Sequence, residues 1–167
     1  MQLMYLSQVR SFILDKVDLP SLTSWVLGDE CFCDGEGKLK LGNLSALTSL
    51  SFVSVFHHFR SLQISQLPLL SVVSFTDGCF QDCVELIIGH MEKLQSVSFQ
   101  SYCFAAAKKL CLKNNPCLQM VKCSLQCFSS NQGVFVLANN PVLKDIVIED
   151  YSMIHFIVDW KSIIIPC

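Results

Sequence analysis

Apolar residues alternate with other residues in short runs, and the runs recur along the chain. Six times the order is a leucine, two residues, an apolar residue, one residue and a second apolar residue. The copies are Leu22-Trp25-Leu27, Leu47-Leu50-Phe52, Leu70-Val73-Phe75, Leu94-Val97-Phe99, Leu118-Val121-Cys123 and Leu143-Ile146-Ile148. Side chains on a strand point alternately to its two faces, so each run predicts a short strand with one buried face. A second pair follows: Leu39 and Leu41, Leu62 and Ile64, Leu86 and Ile88, Leu110 and Leu112, Phe135 and Leu137. Between the two strands Phe32, Phe56, Phe80, Phe104 and Phe128 recur every 24 residues, and Met153 takes that place in the sixth unit. The second unit is one residue shorter before its Phe.

Proline fixes φ and has no N–H, so Leu19-Pro20, Leu67-Pro68, Asn115-Pro116 and Asn140-Pro141 mark corners rather than central strands. No unit holds the amphipathic pattern of an 11-residue helix, and only Ala105–Leu110 suits a single helical turn. A coil with two short strands cannot bury both of its faces alone. Successive coils must therefore stack, which makes the chain a repeat solenoid.

The motif L-x-x-L-x-L-x-x-N-x-L is matched in spacing by Leu70, Val73, Phe75, Gly78 and Phe80, and again by Leu94, Val97, Phe99, Tyr102 and Phe104. Cys79 to Leu86, CFQDCVEL, is similar to an A-F-x-x-C-x-x-L signature. On these residues the chain resembles the leucine-rich repeat family, and within it the BspA-like repeats of bacterial and protist surface proteins. The resemblance covers about residues 12–153. It implies a mainly β, right-handed solenoid of about six coils of roughly 24 residues, with two short strands per coil and little helix. A partial N-terminal coil then occupies residues 1–18, the solenoid 19–153 and a terminal partial coil 154–167. Phe12 and Leu14 are expected in the second-strand role of the first partial coil, and Ile163, Ile164 and Ile165 in the last. The chain departs from the pattern at its asparagine position, which holds Glu30, Val55, Gly78, Tyr102, Gln126 and Tyr151. No asparagine ladder is expected to tie the corners.

In that family the first strand lines a concave face, and the residues between its inward positions face outward. Here they are Ser24 and Val26, Ser49 and Ser51, Val72 and Ser74, Ser96 and Ser98, Met120 and Lys122, and Asp145 and Val147. The early coils thus offer a small, neutral Ser/Val surface. The last two combine charge with a flexible thioether, so Met120, Lys122, Asp145, Val147 and Glu149 are the candidate partner-binding residues. Small residues in columns are also what a stacked sheet tolerates with no partner, and a fold does not fix a function.

Composition narrows the field. Apolar residues make up 51% and charged residues 16% of the 167, enough for a core and too apolar for a disordered chain. A net charge of −2 with no basic patch argues against nucleic-acid binding. The longest late apolar stretch, from Ile154 to Ile165, is broken by His155, Asp159 and Lys161, so membrane insertion is not expected. The first residues lack a basic region followed by an unbroken apolar core. A cytoplasmic protein fits if the chain is complete, and a cell-surface one if it is a fragment of a longer array.

Ten cysteines raise questions of metal and disulfide chemistry. Cys31, Cys79, Cys103 and Cys127 precede the repeated Phe, and Cys123 stands at an inward strand position, so most are expected to pack as small hydrophobes. Neighbouring coils lie at the strand-pairing distance, which brings Cys103 near Cys127. Cys31-x-Cys33 and Cys79-x3-Cys83 are not the paired C-x2-C spacing of structural zinc, even with His57 and His58 nearby. Gly28, Gly35 and Gly37 make no phosphate cradle. No cofactor is implied. The expectation is a non-catalytic protein-interaction module, with a structural spacer as the alternative. A cysteine hydrolase built on Cys83, His90 and Asp82 is the remote third, since the residue types are present without a signature around them.

Overall fold

The computed structural model describes residues 12–14, 19–28, 36–153 and 155–161. Glu30, Cys31, Phe32, Cys33, Gly35 and Ile163–Ile165 lie outside these. Among the described residues there is no helix, and thirteen strands alternate between two parallel sheets. The first sheet holds β2 (Ser24–Leu27), β4 (Ser49–Val53), β6 (Val72–Thr76), β8 (Ser96–Phe99), β10 (Met120–Cys123) and β12 (Asp145–Ile148). The second holds β1 (Phe12–Leu14), β3 (Gly37–Leu41), β5 (Phe59–Ser65), β7 (Glu85–Gly89), β9 (Lys109–Lys113), β11 (Gly133–Ala138) and β13 (Phe156–Lys161). Each strand pairs only with strands of the coils before and after it, in sequence order. The chain is a β-solenoid.

Register aligns the repeat positions in columns. Leu50, Val73, Val97, Val121 and Ile146 stack on one another, as do Phe52, Phe75, Phe99, Cys123 and Ile148. Phe12 and Leu14 align with Leu39 and Leu41, the second-strand place expected of them. At the other end the last second-sheet strand among the described residues is β13, aligned on β11 from Gly133↔Phe156 to Ala138↔Lys161. That role thus falls to Phe156–Lys161, earlier in the chain than Ile163–Ile165. Gly133 permits this, because a Cβ there would lie 2.2 Å from the Phe156 ring.

The core between the sheets is two columns of parallel phenyl rings. Phe56, Phe80, Phe104 and Phe128 stack with centroids 5.2, 5.2 and 5.4 Å apart. Phe52, Phe75 and Phe99 stack at 4.9 and 5.1 Å. Between the columns the rings meet edge to face, as in Phe75–Phe104 at 5.0 Å and 84°. The coil spacing of about 4.8 Å therefore serves as both a strand-pairing and a ring-stacking distance. Each such pair contributes on the order of 1 kcal/mol beyond simple burial.

The corners rest on a backbone conformation that the side chains do not advertise. Phe56, Phe80, Phe104, Phe128 and Met153 all have φ between 52° and 57°. The residues two before them are left-handed as well: Ser54 at 50°, Gly78 at 74°, Tyr102 at 63°, Gln126 at 56° and Tyr151 at 59°. A third left-handed column runs through Asn43, Gln66, His90, Asn114 and Asn139. Left-handed L-residues cost on the order of 1–2 kcal/mol each. Here the cost is offset because the twist sends successive N–H groups to neighbouring coils. Tyr102 N–H donates to Leu125 O in the next coil, and Phe104 N–H to Cys79 O in the previous one, both at 3.0 Å. The helical turn expected at Ala105–Leu110 is absent for the same reason. Ala106 and Lys108 donate to Gln81 and Val84 of the coil before, and the chain enters β9 at Lys109.

A buried asparagine ladder does exist, at the corner after the second strand. Asn140 Nδ2 donates to Leu112 O at 2.9 Å, and its Oδ1 accepts from Asn115 N and Nδ2 at 3.2 Å each. The expectation of unladdered corners was drawn from a different column and fails here.

Candidate binding face

The outward residues of the first sheet form two columns: Ser24, Ser49, Val72, Ser96, Met120, Asp145, and Val26, Ser51, Ser74, Ser98, Lys122, Val147. In the early coils the hydroxyls satisfy one another. Ser49 Oγ donates to Ser24 Oγ at 2.8 Å, and Ser74 Oγ to Ser51 Oγ at 2.9 Å. Thr48 and Ser71 hydroxyls similarly donate to carbonyls of the preceding coil.

The last two coils differ. Met120 lies beside Asp145 and Lys122 beside Val147, so β10 and β12 bring the candidate residues together. Lys122 Nζ donates to Glu149 Oε1 at 2.8 Å, which holds the Glu149 carboxyl below the ordinary glutamate range. Both partners are exposed enough for water to screen them, so the pair orients the side chains more than it stabilises the fold. Met120 and Val147 remain exposed on either side of this pair. A shallow depression of about 300 Å³ adjoins it, lined by Ser98, Gln100, Ser101, Lys122, Ser124 and Glu149.

Two further side-chain pairs follow the same coil-to-coil rule, one of them an ion pair. Lys109 donates to Glu85 at 2.8 Å on the second sheet, which raises the Lys109 pKa. His58 Nδ1 meets Asp82 Oδ2 at 2.8 Å across a corner. That engages Asp82 away from Cys83 and His90, and His90 contacts the Asn114 amide. The Cys83 thiol is fully buried, donates to Glu85 O at 3.2 Å and is pushed by burial up to about 12.

Cys79, Cys103 and Cys127 are buried in one column, as expected for packing residues. They also do something the sequence did not announce. Cys79 Sγ donates to Thr76 O at 2.8 Å and Cys127 Sγ to Gln100 O at 2.7 Å, satisfying corner carbonyls where the repeat motif would place asparagine nearby. Hydrogen bonding with Cys127 and Cys79 pushes the central Cys103 thiol up, and the same contacts draw its two neighbours down. Both Cys103 and Cys127 are free thiols. Among the described residues no group of three or more His, Cys, Asp and Glu is arranged to hold a metal ion.

Comparison with known proteins returns no match: no family model, no curated protein and no solved structure matches this chain.

Proposed function

We propose that the chain is a non-catalytic protein-interaction module that binds through the first-sheet face of its last two coils. The supporting observation is the contrast within one face. Hydroxyl pairs occupy the early coils, where Val26 and Val72 are also exposed, whereas in the last two coils the exposed Met120 and Val147 stand beside the Lys122–Glu149 ion pair. Apolar anchors flanked by oriented charge suit a partner surface of mixed character. The repeat pattern resembles leucine-rich repeats of the BspA-like kind, and this likeness supports the same reading at the level of analogy. The Ser-lined coils favour a second role in series with it, a spacer that carries the binding coils.

Site-specific photo-crosslinking tests the proposal. A photoreactive residue at Met120 or Val147 is expected to give one discrete adduct in lysate of the source cells. The same probe at Val26, exposed on the same face at the far end, is expected to give none. Identical adduct patterns from all three positions, or none from any, would sink the reading.

A further inference from the structure

The outward positions of the second sheet alternate with its buried Leu and Ile pairs, and in the middle coils they differ from those of the first sheet. Ser65, Gly89 and Lys113 share one register position on β5, β7 and β9. Lys40, Gln63 and Ile87 share another, two residues earlier on β3, β5 and β7. Gly89 leaves a gap among these side chains. A Cβ there would lie 2.6 Å from Lys113 O and 3.0 Å from Lys113 Cγ, so the stem of Lys113 lies across the glycine. The gap opens into a depression of about 320 Å³ floored by Ser65, Ile87 and Gly89. Gln66 and His90, left-handed at φ 58° and 60°, form its wall at the corner.

The lining is rich in donors and holds no carboxylate. Ser65 is only 7% exposed, yet among the described residues its hydroxyl has no hydrogen-bond partner. The Lys113 ammonium, half-buried, has no carboxylate partner among them either. A buried hydroxyl that faces a cavity unmet costs free energy, which a ligand oxygen recovers. A cation lining the same depression sets the sign of the charge that ligand carries. The donors converge from the floor at Ser65, from the corner at Gln66 and from the Lys113 side. A tetrahedral oxyanion offers an oxygen to each of three directions, whereas a carboxylate offers two oxygens in one plane. We propose that this depression binds a small phosphate or sulfate ester of a sugar-sized polyol. Lys113 and Ser65 hold the oxyanion, and the Gln63 and Gln66 amides, each both donor and acceptor, meet the hydroxyls. The volume is at the small end of ligand sites, which run to roughly 300–1,000 Å³, and suits one monosaccharide unit. The site is on the second sheet, away from the first-sheet face of Met120 and Val147, and stands independently of the interaction-module reading.

Isothermal titration calorimetry of the full chain at constant ionic strength tests this, with glucose 6-phosphate, glucose 6-sulfate, glucuronate and glucose as probes. Saturable binding of at least one ester is expected, and the tighter ester identifies the group held. Glucuronate and glucose are each expected to bind about tenfold more weakly or not at all. Lys113→Met keeps the stem over Gly89 but removes the charge, and is expected to weaken ester binding about tenfold. Ser65→Ala is expected to weaken it about fivefold. Lys144→Met removes an exposed charge at the end of the first sheet and is expected to leave affinity unchanged. A readout on the native chain avoids any question of folding: ester-induced amide shifts in NMR spectra are expected to centre on Ser65, Gly89 and His90. No saturable binding of either ester, or shifts centred elsewhere, overturns the proposal. So does equal weakening by Lys113→Met and Lys144→Met, which marks general charge attraction. Glucuronate or glucose binding as tightly as the esters overturns it too, because the tetrahedral anion is then not what the site reads.

Discussion

The middle coils and the last coil are written in one repeat but have different physical lives. Around Phe104 every inward side chain is enclosed by a coil on either side. Its ring touches Phe75, Phe80, Phe99 and Phe128. Around Ile146, among the described residues, the same backbone has a neighbouring strand on one side only. A solenoid is stable through its nearest-neighbour interfaces, so a position with two interfaces holds more than one with a single interface. The sequence period is therefore a poor guide to local stability.

Alanine substitution sharpens this contrast most. Phe104→Ala is expected to cost about 3–5 kcal/mol in urea denaturation, and Ile146→Ala about 1 kcal/mol. Equal losses would mean that the last coil is covered in solution. Asn140→Ala strips Leu112 O and Asn115 N of their side-chain partner in the coils just before the end, and is expected to cost about 2 kcal/mol. Tyr102, 50% exposed at φ 63°, has less packing to lose than the buried phenylalanines, and glycine relieves its left-handed strain, so Tyr102→Gly is expected to raise stability by about 1 kcal/mol. Thermal melts measure both. The smallest effect belongs to the exposed Lys122–Glu149 pair. Its carboxyl titrates below the ordinary range, so its contribution is complete above a glutamate's usual pKa of about 4.3 and is lost as pH falls through the lower folded value. Glu149→Gln is expected to flatten the acid limb of the melting curve slightly and to leave neutral pH almost unchanged.

Most of the fold was legible because period-two alternation and a 24-residue recurrence are direct consequences of stacking. The inward strand pairs Leu50 and Phe52, Val73 and Phe75, and Val97 and Phe99 were named correctly from that alternation, but the equally buried Phe59 and Met91 were not. The left-handed columns were not legible. Phe, Tyr, Gln and Ser carry no preference for positive φ, and only Gly78, with the asparagines at 43, 114 and 139, hinted at it. The Asn115–Asn140 ladder was hidden in the Asn-Pro corners, where the proline drew attention to the turn and away from the amide before it. At the candidate face, spacing put Met120, Lys122, Asp145, Val147 and Glu149 on one surface, but the pairing of Lys122 with Glu149 depends on register between coils. The lower burial of Ile146 and Ile148 was not legible, since both read as ordinary inward residues.

One coil is about 4.8 Å thick along the stack, yet it stores 24 residues that span roughly 80 Å when drawn out. Under tension from its ends such a chain yields in discrete steps, each releasing one coil as two strand ladders and, in the middle coils, a stacked ring pair in each of the two columns let go together. A molecule of this kind can thus serve as a ruler that lengthens in fixed increments under load.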